Sequence, residues 1–129
     1  MILDTSFIID LFRNDKSAIE KANELIRKSI PLATTTVNIF ELWQGTYDIK
    51  NKEVKDKILT FLSSIGLFVL DLPSAQEGGT IYSELRNKGG VIDPEDCMIA
   101  GIAKTNNKTL LTKNIKHFDR IRDLKIEIY

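Results

Sequence analysis

The chain has 129 residues, 43% of them hydrophobic and 28% charged, with 18 basic and 18 acidic side chains and no net charge. This is the composition of an ordinary globular protein, long enough to bury a core without metal or disulfide staples, and it excludes a chain that is basic as a whole. No apolar run approaches the ~20 residues of a membrane span, a signal-peptide pattern is missing, and the single Cys97 forms no internal disulfide, so one domain over 1–129 in the reducing cytoplasm is expected.

Short apolar runs alternate with helical periods, the pattern of βα units. Met1–Asp4 reads as a first strand leading into a helix over Thr5–Arg13, and a second helix fills Lys16–Ser29 before Pro31. The β-branched run LATTTV predicts a second strand, after which Asn38 can cap a helix through IFELWQGTYDI. A charged amphipathic helix follows over Glu53–Ile65, Gly66 ends it, and LFVLDLP reads as a third strand. Ser74 to Lys88 is helical and runs into Gly89–Gly90. In DPEDCMIAGIAKT, Asp93 can be the N-cap, Pro94 the first helical residue and Asp96 the acid at the third position. TLLT gives a fourth strand, Ile115–Ile121 a short helix and KIEIY a fifth strand. The expected fold is α/β, a three-layer α/β/α sandwich around a mostly parallel sheet. Open sheets of this kind carry their sites at the carboxyl ends of the strands.

Several acids fall at that edge. Asp4 ends the first strand, Asp93 and Asp96 open a helix there, and Thr112, Lys113 and Asn114 follow the fourth strand. Glu41 lies inside the apolar NIFELW and, if buried, needs a partner. Each acid also has a structural alternative: Asp4, Asp93 and Asp96 can cap helices, and Glu41 can be the polar stripe of an amphipathic helix. Clustered carboxylates persist with a shared proton or a cation. Oxygen donors with no His or Cys nearby point to Mg²⁺ or Mn²⁺ rather than zinc, and a carboxylate-held Mg²⁺ can deliver a nucleophile to a phosphodiester.

ILDTS, TTVNIFELWQG, GGVIDPEDCMIAGIA and LLTKNIKHFDRI, in that order, resemble the PIN domain of the VapC-type toxin ribonucleases over nearly the whole chain. The resemblance implies an Mg²⁺- or Mn²⁺-dependent endoribonuclease, a homodimer held inactive by a small antitoxin. It puts Asp4, Glu41 and Asp96 at the metal, Ser6 and Thr112 hydrogen-bonding those acids, and Asn114 at a fourth position that is often acidic. Asp93 is an additional carboxylate one turn before Asp96, a metal contact or only a cap.

The segment from Lys104 to Lys125 holds seven Lys or Arg against two Asp, so Arg13, Lys113, Lys116 and Arg120 are candidates for the RNA approach. Phe40, Trp43 and Tyr47 share one helical face, by default a core stripe and otherwise a surface for a dimer mate or antitoxin. The first helix, apolar around most of its circumference, hints at a cover beyond the sheet. Cys97 reads as packed rather than reactive. Two other classes compete: an inactive PIN-like module that only binds protein or RNA, and a phosphoacceptor receiver domain using Asp71 with a late Thr and Lys.

Overall fold

The computed structural model describes residues 1–46, 52–90 and 92–129. Its elements in chain order are β1 (Ile2–Leu3), α1 (Thr5–Phe12), α2 (Lys16–Arg27), β2 (Ala33–Thr35), α3 (Thr36–Thr46) and α4 (Lys52–Ser64). After these come β3 (Gly66–Phe68), α5 (Leu72–Asn87), α6 (Pro94–Thr105), β4 (Leu110–Leu111), α7 (Ile115–Phe118) and β5 (Ile126–Glu127). The strands form one parallel sheet in the order β3-β2-β1-β4-β5, with Ile2 in register with both Ala33 and Leu110. The chain builds outward from β1 to one edge, then crosses back to lay β4 and β5 on the other side. The reversal places the crevice of the sheet at the carboxyl end of β1.

Alternation along β1 divides the core. Ile2 and Leu110 point to one face, against Ile81 and Leu85 of α5, Ile99 and Ile102 of α6 and Phe118 of α7. Leu3 and Leu111 point to the other, against Phe7 and Ile8 of α1, Ala18 and Leu25 of α2 and Leu42 of α3. Successive strand residues face opposite sides, so two-residue strands suffice to anchor both helical layers. Full burial of each such side chain contributes about 1.5–3 kcal/mol. The tightest seam lies between α5 and α6. A Cβ on Gly101 would collide with the Ser74 carbonyl oxygen and stand 2.7 Å from the Gly78 nitrogen, so glycine alone allows this approach.

Three local expectations change. The helix expected to be capped by Asn38 begins three residues earlier, at Thr36, because Thr35 does the capping: its hydroxyl accepts the Asn38 backbone N–H at 3.1 Å. The strand read from LFVLDLP is only Gly66–Phe68. Asp71 ends the extended stretch by capping α5, its carboxylate accepting the Ser74 N–H at 3.0 Å, and Pro73 sits in the first turn. That contact weighs against the receiver reading, since Asp71 closes a helix end beside an outer strand. The helix expected to reach Ile121 stops at Phe118.

Candidate metal centre

Asp4 follows β1 directly and takes the N-cap position of α1, yet its carboxylate makes no cap bond. It is buried and accepts three hydrogen bonds instead. Ser6 Oγ donates to Oδ2 at 2.8 Å, Thr112 Oγ1 to Oδ2 at 2.6 Å, and Asn38 Nδ2 to Oδ1 at 3.2 Å. These donors come from α1, from the end of β4 and from α3, so elements distant in sequence converge on one carboxylate. Asn114 stands one step away: its backbone N–H donates to Thr112 Oγ1 at 2.9 Å, and its side chain makes no cap bond to α7.

Glu41 is half-buried on the inner side of α3 and accepts the Thr5 hydroxyl. The helix is inverted relative to the expected core stripe. Val37, Asn38 and Leu42 pack inward, whereas Phe40 and Trp43 are 52% and 48% exposed. The reason is that α3 must present Asn38 and Glu41 to Asp4, which turns its aromatic face outward. Tyr47 lies outside the described residues.

Asp93 takes the N-cap position of α6 without a side-chain cap bond. One turn on, Asp96 is buried, and its Oδ2 lies 2.6 Å from His117 Nδ1. Ligand atoms of Asp93, Asp96 and His117 all fall within 4.8 Å of one another. This corrects the expectation of oxygen donors with no histidine nearby: α7 folds back onto α6 and brings the imidazole to the acid.

Asp4 and Glu41 stand outside that tight trio but within electrostatic reach of it. Burial pushes the Glu41 carboxyl above the usual range; the Thr5 hydroxyl opposes this, and the charges of Asp4, Asp96 and Glu95 add to it. Burial likewise raises Asp96, against the pull of His117 and with the repulsion of Asp4 and Asp93. Half-buried acids that raise one another's proton affinity form a site that gains from a cation.

Around this centre, Lys113 Nζ lies 2.6 Å from Asp10 and 3.6 Å from Asp15, above the Tyr129 ring. Its ammonium is committed to those acids. Arg13 borders an apolar groove of Ile9, Phe12, Leu42, Val54 and Ile58, and Lys116 and Arg120 are exposed. Beyond Phe7 and Ile8, which are buried, the other apolar residues of α1 are half-buried. Cys97 is buried and its thiol is pushed up to about 11 by burial. Sequence reasoning missed Thr5, Asn38 and His117 as members of the site. The available signals were the polar Asn38 within an apolar run, three residues before Glu41, and the lone imidazole in IKHF.

The PIN-domain family model matches residues 1–124. The chain is similar to a ribonuclease VapC2 of Rickettsia felis, 31% identical across 98% of this chain and 95% of that one. It is similar to a tRNA(fMet)-specific endonuclease VapC of Shigella flexneri, 27% identical over 98% and 95% of the two chains. Its fold is similar to that of a chain in the crystal structure of VapBC2 from Rickettsia felis bound to a promoter DNA fragment. There the TM-score is 0.88 and the identity 29%, with 99% of this chain and 97% of that one covered.

Proposed function

The chain belongs to the PIN-domain family, among its VapC-type toxin ribonucleases, and from that premise we propose that Asp4, Glu41 and Asp96 are the acids that hold its catalytic divalent cation, Mg²⁺ or Mn²⁺. One observation carries this reading: these side chains come from the end of β1, from α3 and from α6, yet Asn38 donates to Asp4 and, through the Thr5 hydroxyl, links it to Glu41, while the charge of Asp4 reaches both other acids. Hard oxygen donors with one imidazole at the margin fit Mg²⁺ or Mn²⁺. Asp93, beside Asp96, contributes charge to the same pocket.

When bound, such a cation supplies electrostatic stabilisation of the phosphodiester under attack and of the leaving oxygen. The chain's own residues supply the frame. Ser6 and Thr112 fix one oxygen of Asp4, and His117 orients Asp96 through its Oδ2. Outer partners of this sort typically change metal affinity or activity 10–100-fold. Lys116, exposed on α7, and Arg120, exposed just after it, attract the RNA backbone without reading sequence. Toxins of this kind work against a cognate antitoxin. We assign the outward aromatic face of α3, Phe40 and Trp43, to a protein contact, with a second copy of the chain as its occupant. The reducing cytoplasm suits an enzyme whose one thiol is buried.

Purified protein incubated with a mixed RNA pool and Mg²⁺ or Mn²⁺ should give cuts that EDTA and Asp96→Asn both abolish. Equal cutting in EDTA would overturn the metal reading. No cutting by folded, antitoxin-free protein would leave a binding module in its place.

A further inference from the structure

Asn38 is fully buried, and every polar atom of its side chain is engaged. The Thr35 hydroxyl donates to Asn38 Oδ1 at 2.7 Å, which fixes the amide orientation. The two Nδ2 protons go to different acceptors, Asp4 Oδ1 at 3.2 Å and Thr5 Oγ1 at 3.0 Å. Thr5 has a single hydroxyl proton, and it goes to Glu41. The chain of donors therefore runs one way, from Thr35 through Asn38 to both acids. Asn38 and Glu41 lie three residues apart on one face of α3, so Thr5 rivets that face to the start of α1.

We propose that Asn38 is a positioning residue for the metal centre: with Thr5 as its extension, it holds Asp4 and Glu41 as a matched pair of acceptors turned toward one cation. This rests on the assignment of those acids made above. The direction of the relay is its content. Asn38 and Thr5 present only protons to the acids, and Thr35 fixes the amide that does so. An apolar side chain at position 38 would leave Thr35 without its buried acceptor and Asp4 with donors on Oδ2 alone. Thr5 would then be free to turn away from Glu41.

The test uses Asn38→Ala and, because that variant opens a cavity, Thr5→Val, which removes only a hydroxyl at constant shape. Mn²⁺ titrations of the full chain, read by melting temperature and by the paramagnetic signal of free Mn²⁺, give the metal midpoint beside the metal-free melting temperature. Each variant is expected to move the Mn²⁺ midpoint upward by about tenfold or more, and the double variant by little more than either, because both changes cut one relay. A merely structural role would lower the metal-free melting temperature and leave the midpoint unchanged, which overturns the proposal, as would fully additive losses. If wild type itself gives no Mn²⁺ response, the metal assignment falls and takes this inference with it. A normal wild-type response with unmoved variants sinks the relay alone.

Discussion

Helix α6 contains two regions with opposite physical characters. Its body, from Cys97 through Ala103, is buried at every position but Met98, and it meets α5 so closely that Gly101 has no room for a side chain. Its first turn carries Glu95 and Asp96 with Asp93 just before, acids that repel one another and the acids at the end of β1 and on α3. The body is stabilised by packing, and the turn is destabilised by charge. The pairing is instructive because rigidity in the first region makes crowding in the second sustainable: a helix that could shift would relax its acids apart. Functional sites commonly store cost in this way, supported by the scaffold around them.

The contrast between the two regions breaks most visibly at Gly101. Gly101→Ala should cost about 3 kcal/mol, the upper end for an overpacked core, since the new methyl meets backbone rather than a movable side chain. A melting temperature lowered by ~10 °C or more, or failure to fold, is the expected readout. If the variant melts at nearly the wild-type temperature, the seam is not rigid. Asp96→Asn attacks the other region. It should lower RNA cleavage by more than ~100-fold, beyond the usual cost of losing an outer partner, with the far-ultraviolet circular dichroism spectrum retained.

Charge crowding also predicts a pH dependence. Glu41 binds its proton more tightly folded than unfolded, so its contribution favours the fold at low pH and is lost as pH rises through its elevated folded pKa. Metal-free Glu41→Gln should therefore melt a few degrees above wild type near pH 7, and the gap should close toward pH 4. Millimolar Mn²⁺ should reverse the order at pH 7 by stabilising only the protein that binds it. A gap that is constant across pH would remove repulsion as its cause. The smallest effect concerns the thiol at the junction of the two regions. Cys97, buried and raised to about 11, should resist alkylation by iodoacetamide at pH 8 until the protein is unfolded in urea; rapid labelling of native protein would show that the body opens.

Much of this was legible in the sequence where local chemistry and tertiary role agree. Asp93 with Pro94 marks the start of α6 by backbone preference alone. The parallel sheet follows from strands separated by helices, and Asp4 falls at its switch point because β1 ends there. What stayed hidden depends on partners remote in sequence. Asn38 looks like a cap by residue type, and only the meeting of β1 with α3 turns it toward Asp4. His117 reaches Asp96 across 21 positions, a contact no spacing rule anticipates. The outward turn of Phe40 and Trp43 was illegible for the related reason that helical periodicity identifies a face and not its direction.

The brevity of β1 has its own consequence. Ile2 serves one core, Leu3 the other, and Asp4 the edge where the carboxylates gather, in three consecutive residues. On the proposed role of Asp4, replacing it disarms the protein and leaves both cores intact. Deleting one residue from this run would instead exchange the cores and withdraw the acid by about 3.3 Å, the rise of one strand residue. Under substitution, then, the acid is lost alone, while under insertion or deletion at this point it is lost only together with the fold.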